Sequence, residues 1–66
     1  MQVTINGAAR EFPQPVTFAQ MLEALQLAGK RIAVERNGEI VPRSRLGETQ
    51  LAEGDRIEVV VAVGGG

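Results

Sequence analysis

The chain has 66 residues, seven Lys and Arg against eight Asp and Glu, and a formal net charge of -1, which suits one small domain near the lower limit for a self-supporting hydrophobic core. It contains no cysteine, histidine, tyrosine or tryptophan, so disulfides, thiolate chemistry and the usual zinc-ligand sets are excluded and a self-contained active site is not expected. The mixed Arg and Glu distribution offers no basic stripe for nucleic acid.

From the N-terminus, Val3 and Ile5 alternate with polar residues before Asn6-Gly7, the dipeptide suited to a type I′ hairpin turn. A returning strand from Ala8 to Phe12 would pair Ile5 with Ala8, Val3 with Arg10 and Met1 with Phe12. That puts Arg10 on the apolar side, so either its stem snorkels at a sheet edge or the turn is longer than two residues. Pro13 and Pro15 stop the sheet.

Thr17 is the expected N-cap of a helix, with Gln20 completing a capping box. Phe18, Met21, Leu22 and Leu25 then form one apolar stripe. Gly29 is the expected C′ residue, with Lys30 and Arg31 near the negative end of the helix dipole. A second hairpin follows, Ile32 to Arg36, Asn37-Gly38, then Glu39 to Val41, pairing Val34 with Val41, Glu35 with Ile40 and Arg36 with Glu39. In that register Ile40 is exposed.

Pro42 ends the hairpin, and residues 43–53 read as a polar connector anchored by Leu46 and Leu51. Glu53-Gly54-Asp55 is a turn into the last strand, which carries Ile57, Val59, Val61 and Val63 on one face and Arg56, Glu58, Val60 and Ala62 on the other. This strand is expected at the centre of the sheet beside the first, because so apolar a strand on an edge invites aggregation. The order predicts an α+β fold in which a mixed sheet of four to five strands grasps one amphipathic helix and buries Val3, Ile5, Leu22, Leu25, Val34, Val41, Ile57 and Val59. Residues 1–63 form the domain and residues 64–66 a flexible glycine tail, narrow for want of any Cβ. Ile40, Val60 and Ala62 either form an apolar docking patch beside the tail or are covered by Leu46, Leu51 or the connector. No segment approaches the ~20 apolar residues of a membrane span, and the N-terminus lacks signal-peptide features, so a cytoplasmic chain, monomeric when free, is expected.

This layout, with Ile32-Ala33-Val34-Glu35, Ile40-Val41-Pro42-Arg43-Ser44, Glu53-Gly54-Asp55-Arg56-Ile57-Glu58 and the closing Val63-Gly64-Gly65-Gly66, resembles the ThiS family of sulfur carriers of thiamine biosynthesis over essentially the whole chain. The resemblance implies a ubiquitin-like β-grasp fold and a protein cosubstrate rather than an enzyme. It implies that the Gly66 carboxylate is adenylated by a ThiF-like adenylyltransferase, converted to a thiocarboxylate with cysteine-derived sulfur, and delivered to a ThiG-like thiazole synthase. ATP and the sulfur donor would then act through partners, with no cofactor or metal bound by this chain. The family pattern ends in two glycines and this chain in three, so the role falls to Gly65 and Gly66, with Gly64 an added spacer. Gly64 and Gly65 would thread the tail into the partner. The alternatives are the small subunit of molybdopterin synthase or another β-grasp sulfur carrier, conjugation to lysines through the same activated terminus, and a plain ubiquitin-like interaction module.

Overall fold

In the computed structural model, which describes residues 1–62, both Asn-Gly pairs turn as their chemistry requires. Asn6 and Gly7 lie at φ 52° and 84°, and Asn37 and Gly38 at 51° and 87°, the left-handed values of a type I′ turn. The first turn joins β1 (Gln2–Ile5) to β2 (Ala8–Glu11), the second β3 (Ile32–Arg36) to β4 (Glu39–Val41). Ile5 faces Ala8 and Val3 faces Arg10, which settles the first turn at two residues. Arg10 is accommodated because β2 is an edge strand exposed along its whole length.

The last strand, β5 (Arg56–Val61), sits between β1 and β3 in a five-stranded sheet of order β2-β1-β5-β3-β4. It runs parallel to β1 and antiparallel to β3. Each hairpin asparagine also braces this strand. The Thr4 and Asn6 N–H groups donate to the Asp55 and Ile57 carbonyls at 3.0 and 2.8 Å, and the Asn6 carboxamide continues the ladder. Its Oδ1 accepts from the Val59 N–H at 2.8 Å and its Nδ2 donates to the Val59 carbonyl at 3.2 Å. On the other side Asn37 donates its N–H to the Arg56 carbonyl at 2.7 Å and accepts the Arg56 N–H on Oδ1 at 2.9 Å.

The helix α1 (Phe18–Ala24) crosses one face of the sheet. An α-helix leaves its first N–H groups without internal partners, and here each finds one. The capping box is formed: Gln20 N–H donates to Thr17 Oγ1 at 3.1 Å and Thr17 N–H donates to Gln20 Oε1 at 2.8 Å. The connector takes the other two, since Phe18 and Ala19 donate to the Thr49 and Leu46 carbonyls at 2.9 Å each.

The helix ends a turn earlier than the sequence suggests. Leu25 is the C-cap, and Gln26, not Gly29, takes the left-handed C′ position at φ 61°. The Gln26 and Leu27 N–H groups donate to the Glu23 and Leu22 carbonyls at 3.0 and 2.8 Å, the two bonds of a Schellman closure. The physical reason is that Leu27 packs against the core beside Leu22, a contact that the tight closure delivers and a longer helix would rotate away. Gly29, at φ 84°, turns the loop that follows, and Lys30 and Arg31 lie beyond the reach of the helix dipole rather than in its last turn. A left-handed non-glycine residue costs about 1–2 kcal/mol. Gln26→Gly is therefore expected to raise stability by about 1 kcal/mol, read as an increased urea midpoint with unchanged m.

The core comprises Val3, Ile5, Phe18, Met21, Leu22, Val34, Leu51, Ile57 and Val59. Leu25 and Val41, expected among them, are half-buried at its rim together with Leu46. After β4 the connector opens with a 3-10 turn, Arg43–Arg45, and lays Leu51 under the helix and sheet. The result is the expected β-grasp.

One polar feature lies inside this frame. Asp55, whose residue exposure is only 5%, precedes β5 and gathers three donors, two from the second hairpin and one from the connector. Arg36 Nε and the Ala52 N–H donate to Oδ2 at 2.9 and 2.8 Å, and Asn37 Nδ2 donates to Oδ1 at 3.3 Å. Arg36 also donates to the Gln50 carbonyl and lies over the Phe18 ring, 5.2 Å from its centre. Helix, connector, second hairpin and central strand are thereby tied together at one end of the sheet.

Candidate functional site

The candidate site is the opposite end, where the central strand gives way to the tail. Strand β5 is held through Val61, paired with Ile32, and one further bond follows: the Ala62 N–H donates to the Arg31 carbonyl at 2.9 Å. The chain is thus anchored on its flank until two residues before the first terminal glycine. Gly66, expected to carry the modification, and Gly64 and Gly65, expected to thread the tail, lie outside the described residues, as does Val63.

The face of the sheet turned away from the helix presents the apolar residues that the strand period predicted. Val60 and Ile40 are 62% and 69% exposed, and Ala62 is exposed as well. Leu46 and Leu51 do not cover them, because both side with the helix and the core. Val60 and Ala62 share a shallow groove with Ile32 and Ala33, bordered by Arg31 and Arg43. Ile40 stands one row further along, across from Glu35, and borders a separate depression with Pro42 and Arg45. Val60 and Ala62 are thus brought together at the root of the tail, with Ile40 as an outlying member.

The sequence shows the Asp55 segment as a turn only, and it gives no sign that Glu35 faces Glu58 across β3 and β5 or that Asn6 and Asn37 brace β5 with their carboxamides. The turn signal at Gly54-Asp55 hinted at the first, since Asp commonly bonds nearby backbone. The second required the β3 to β5 register. Among the described residues no group of three or more His, Cys, Asp or Glu is placed to hold a metal ion, and no helix is long and apolar enough to cross a membrane.

A family model described as the ThiS family matches residues 3–66, from the first strand to the last glycine. The sulfur carrier protein ThiS of Bacillus subtilis (strain 168) is 44% identical over 50 residues, covering 76% of each chain. Thiazole synthase of Paramagnetospirillum magneticum is 39% identical over 66 residues, which is 100% of this chain and 20% of that protein. Thiazole synthase of Magnetococcus marinus is 38% identical over the same length and share, so the chain spans about a fifth of these curated relatives. Among solved structures, the crystal structure of the thiamine biosynthesis protein ThiS from Geobacter metallireducens matches with a TM-score of 0.83 at 30% identity, covering 100% of both chains. On the match over residues 3–66 and the shared ubiquitin-like β-grasp, this chain belongs to the ThiS family.

Proposed function

We propose that the chain is a sulfur carrier of thiamine biosynthesis, a protein cosubstrate whose Gly66 carboxylate holds the sulfur delivered to thiazole formation. The observation that supports this reading is the family match, whose span of residues 3–66 includes the glycine tail. Composition supports it: with no cysteine or histidine in the chain, a sulfur atom has the backbone terminus rather than a thiol to ride on.

The chemistry sets the order of events. A carboxylate resists acyl transfer because its leaving group would be oxide. A ThiF-like adenylyltransferase removes that obstacle: a Gly66 carboxylate oxygen attacks the α-phosphorus of ATP and pyrophosphate leaves. A sulfide equivalent derived from cysteine then attacks the acyl carbon, AMP departs, and a thiocarboxylate remains. Glycine at the end leaves that carbon unhindered, and three extended glycines reach about 10 Å into a partner's channel. ATP and the sulfur donor are bound by the partners. Val60 and Ala62, with Ile40 beside them, are the docking patch at the root of the tail.

The similarity to thiazole synthases supports that enzyme as the acceptor, since those proteins contain a stretch alike to this whole chain. Loss of the gene is expected to create a growth requirement for thiazole or thiamine in the source organism. A strain that instead loses molybdoenzyme activity, with thiamine synthesis intact, contradicts the reading.

A further inference from the structure

The dipeptide that turns both hairpins is also a chemically labile one. Asparagine followed by glycine deamidates spontaneously, because a residue without a side chain lets its own backbone nitrogen reach the preceding carboxamide carbon. The glycine nitrogen bonds to Cγ, its proton and the carboxamide NH2 depart together as ammonia, and a five-membered succinimide remains. Water then opens the ring to aspartate or isoaspartate. Nothing lies within 4 Å of the point where a Cβ would stand on Gly7 or Gly38, so neighbouring chain crowds neither turn. What separates the two pairs is how each carboxamide is held.

Asn6 is locked onto the middle of the central strand. Its Oδ1 and Nδ2 both engage the backbone of Val59, at 2.8 and 3.2 Å, and Val59 belongs to the buried core. Swinging that carboxamide away leaves two backbone groups of a buried residue unpaired, which is costly. Asn37 is held at the strand's first residue instead. Its Oδ1 accepts the Arg56 N–H at 2.9 Å in an exposed contact that water can replace. Its Nδ2 reaches Asp55 Oδ1 at 3.3 Å, longer than the roughly 2.7–3.2 Å of an ordinary N–H···O bond. Strand ends open more readily than strand centres, so the Asn37 carboxamide is the freer of the two.

The product at Asn37 disturbs its surroundings. An aspartate there puts a carboxylate oxygen where Nδ2 donated, against the Asp55 carboxylate that is paired with Arg36. Buried Asp55 then loses a donor and gains a like charge. Isoaspartate routes the main chain through the side-chain carbons, which adds an atom to the two-residue turn and breaks the pairing of Arg36 with Glu39. We propose that Asn37-Gly38 is a spontaneous modification site of the folded chain, reacting ahead of Asn6-Gly7, and that its conversion loosens the Asp55 end of the sheet. Val61 and Ala62, which lead to the tail, lie at the other end of the central strand, so the reaction limits the lifetime of the domain without touching the terminus. The inference does not depend on what the tail carries.

The test is timed incubation of the full wild-type chain at mildly alkaline pH, folded in buffer and unfolded in guanidinium chloride. Peptide mapping separates asparagine from aspartate and isoaspartate at each position. The ratio of the Asn37 rate to the Asn6 rate is expected to be about tenfold higher in the folded chain than in the unfolded one, where local sequence alone sets both rates. An unchanged or lower ratio on folding overturns the proposal, as does an Asn37 that stays intact in the folded chain until the unfolded chain has reacted fully. The consequence is read from variants. Asn37→Asp is expected to lower Tm by about 4–8 °C. Asn37→Gly keeps the turn conformation and loses the carboxamide without adding a charge, so its Tm should fall less. An Asn37→Asp chain as stable as wild type, or no less stable than Asn37→Gly, overturns the loosening. The rate measurement uses the wild-type chain and decides the site even where Asn37→Asp fails to fold.

Discussion

Asp55→Ala is expected to cost about 2–4 kcal/mol of folding stability, measured as a lowered urea midpoint with unchanged m. The substitution removes the acceptor of the Arg36 Nε, Asn37 Nδ2 and Ala52 N–H groups at once. Arg36 keeps the Gln50 carbonyl and its place over Phe18, and its side chain is 29% exposed, so water recovers part of the loss. That shifts the figure down from the roughly 3–5 kcal/mol typical of a fully buried pair broken on one side. A domain of this length has roughly 3–10 kcal/mol in total, so the variant stands near the edge of folding. Asp55→Asn, which keeps acceptance at one oxygen, is expected to cost about half as much. An equal cost for both substitutions contradicts the view that shared hydrogen bonding, with charge as a supplement, makes this residue valuable.

The second large effect concerns the tail. One alanine appended after Gly66 is expected to leave folding untouched, because the described core and its five strands lie within residues 1–62. Thiocarboxylate formation is nevertheless expected to fall by at least a hundredfold. The acyl carbon is displaced by one residue, about 3.3–3.6 Å, from where the adenylating site holds it, and misplacement of ~1 Å can already cost ~100-fold. Deleting Gly66 has a similar effect in the opposite direction. Deleting Gly64 is the informative contrast. If the third glycine is a spacer, the deletion keeps the chemistry of the final pair and lowers the rate only through lost reach; full retention of rate makes Gly64 incidental. An extended chain that is activated as fast as wild type shows that the tail does not act through its end.

How far these properties were legible follows from the range over which each is determined. Asn6-Gly7 and Asn37-Gly38 announced both hairpins because positive φ at two successive residues is a local demand that few side chains meet. The Thr17 and Gln20 box was equally local. Placing β5 at the centre needed only its apolar character and the danger of exposing it. The helix end was misplaced because glycine is the strongest left-handed signal, and Gly29 does adopt that conformation, but tertiary packing of Leu27 imposed it first on Gln26. The second task of the asparagines, bracing β5 with their carboxamides, depends on pairings 53 and 19 residues away and has no local trace. Asp55 and the Glu35 to Glu58 facing are hidden for the same reason. The patch was half legible: alternation put Val60, Ala62 and Ile40 on one face, while their separation into a groove and an outlying residue required the strand order.

The glycine tail lies outside the described residues, and its proposed role rests on the family match and on the absence of cysteine and histidine from the chain. Its role is most directly tested by the intact mass of the chain after incubation with its adenylyltransferase, ATP and a cysteine-derived sulfur donor. The carrier account predicts a gain equal to the mass difference between sulfur and oxygen, located on the C-terminal peptide at Gly66 and absent without ATP. A chain that keeps its original mass while the same enzyme adenylates a known ThiS protein contradicts it.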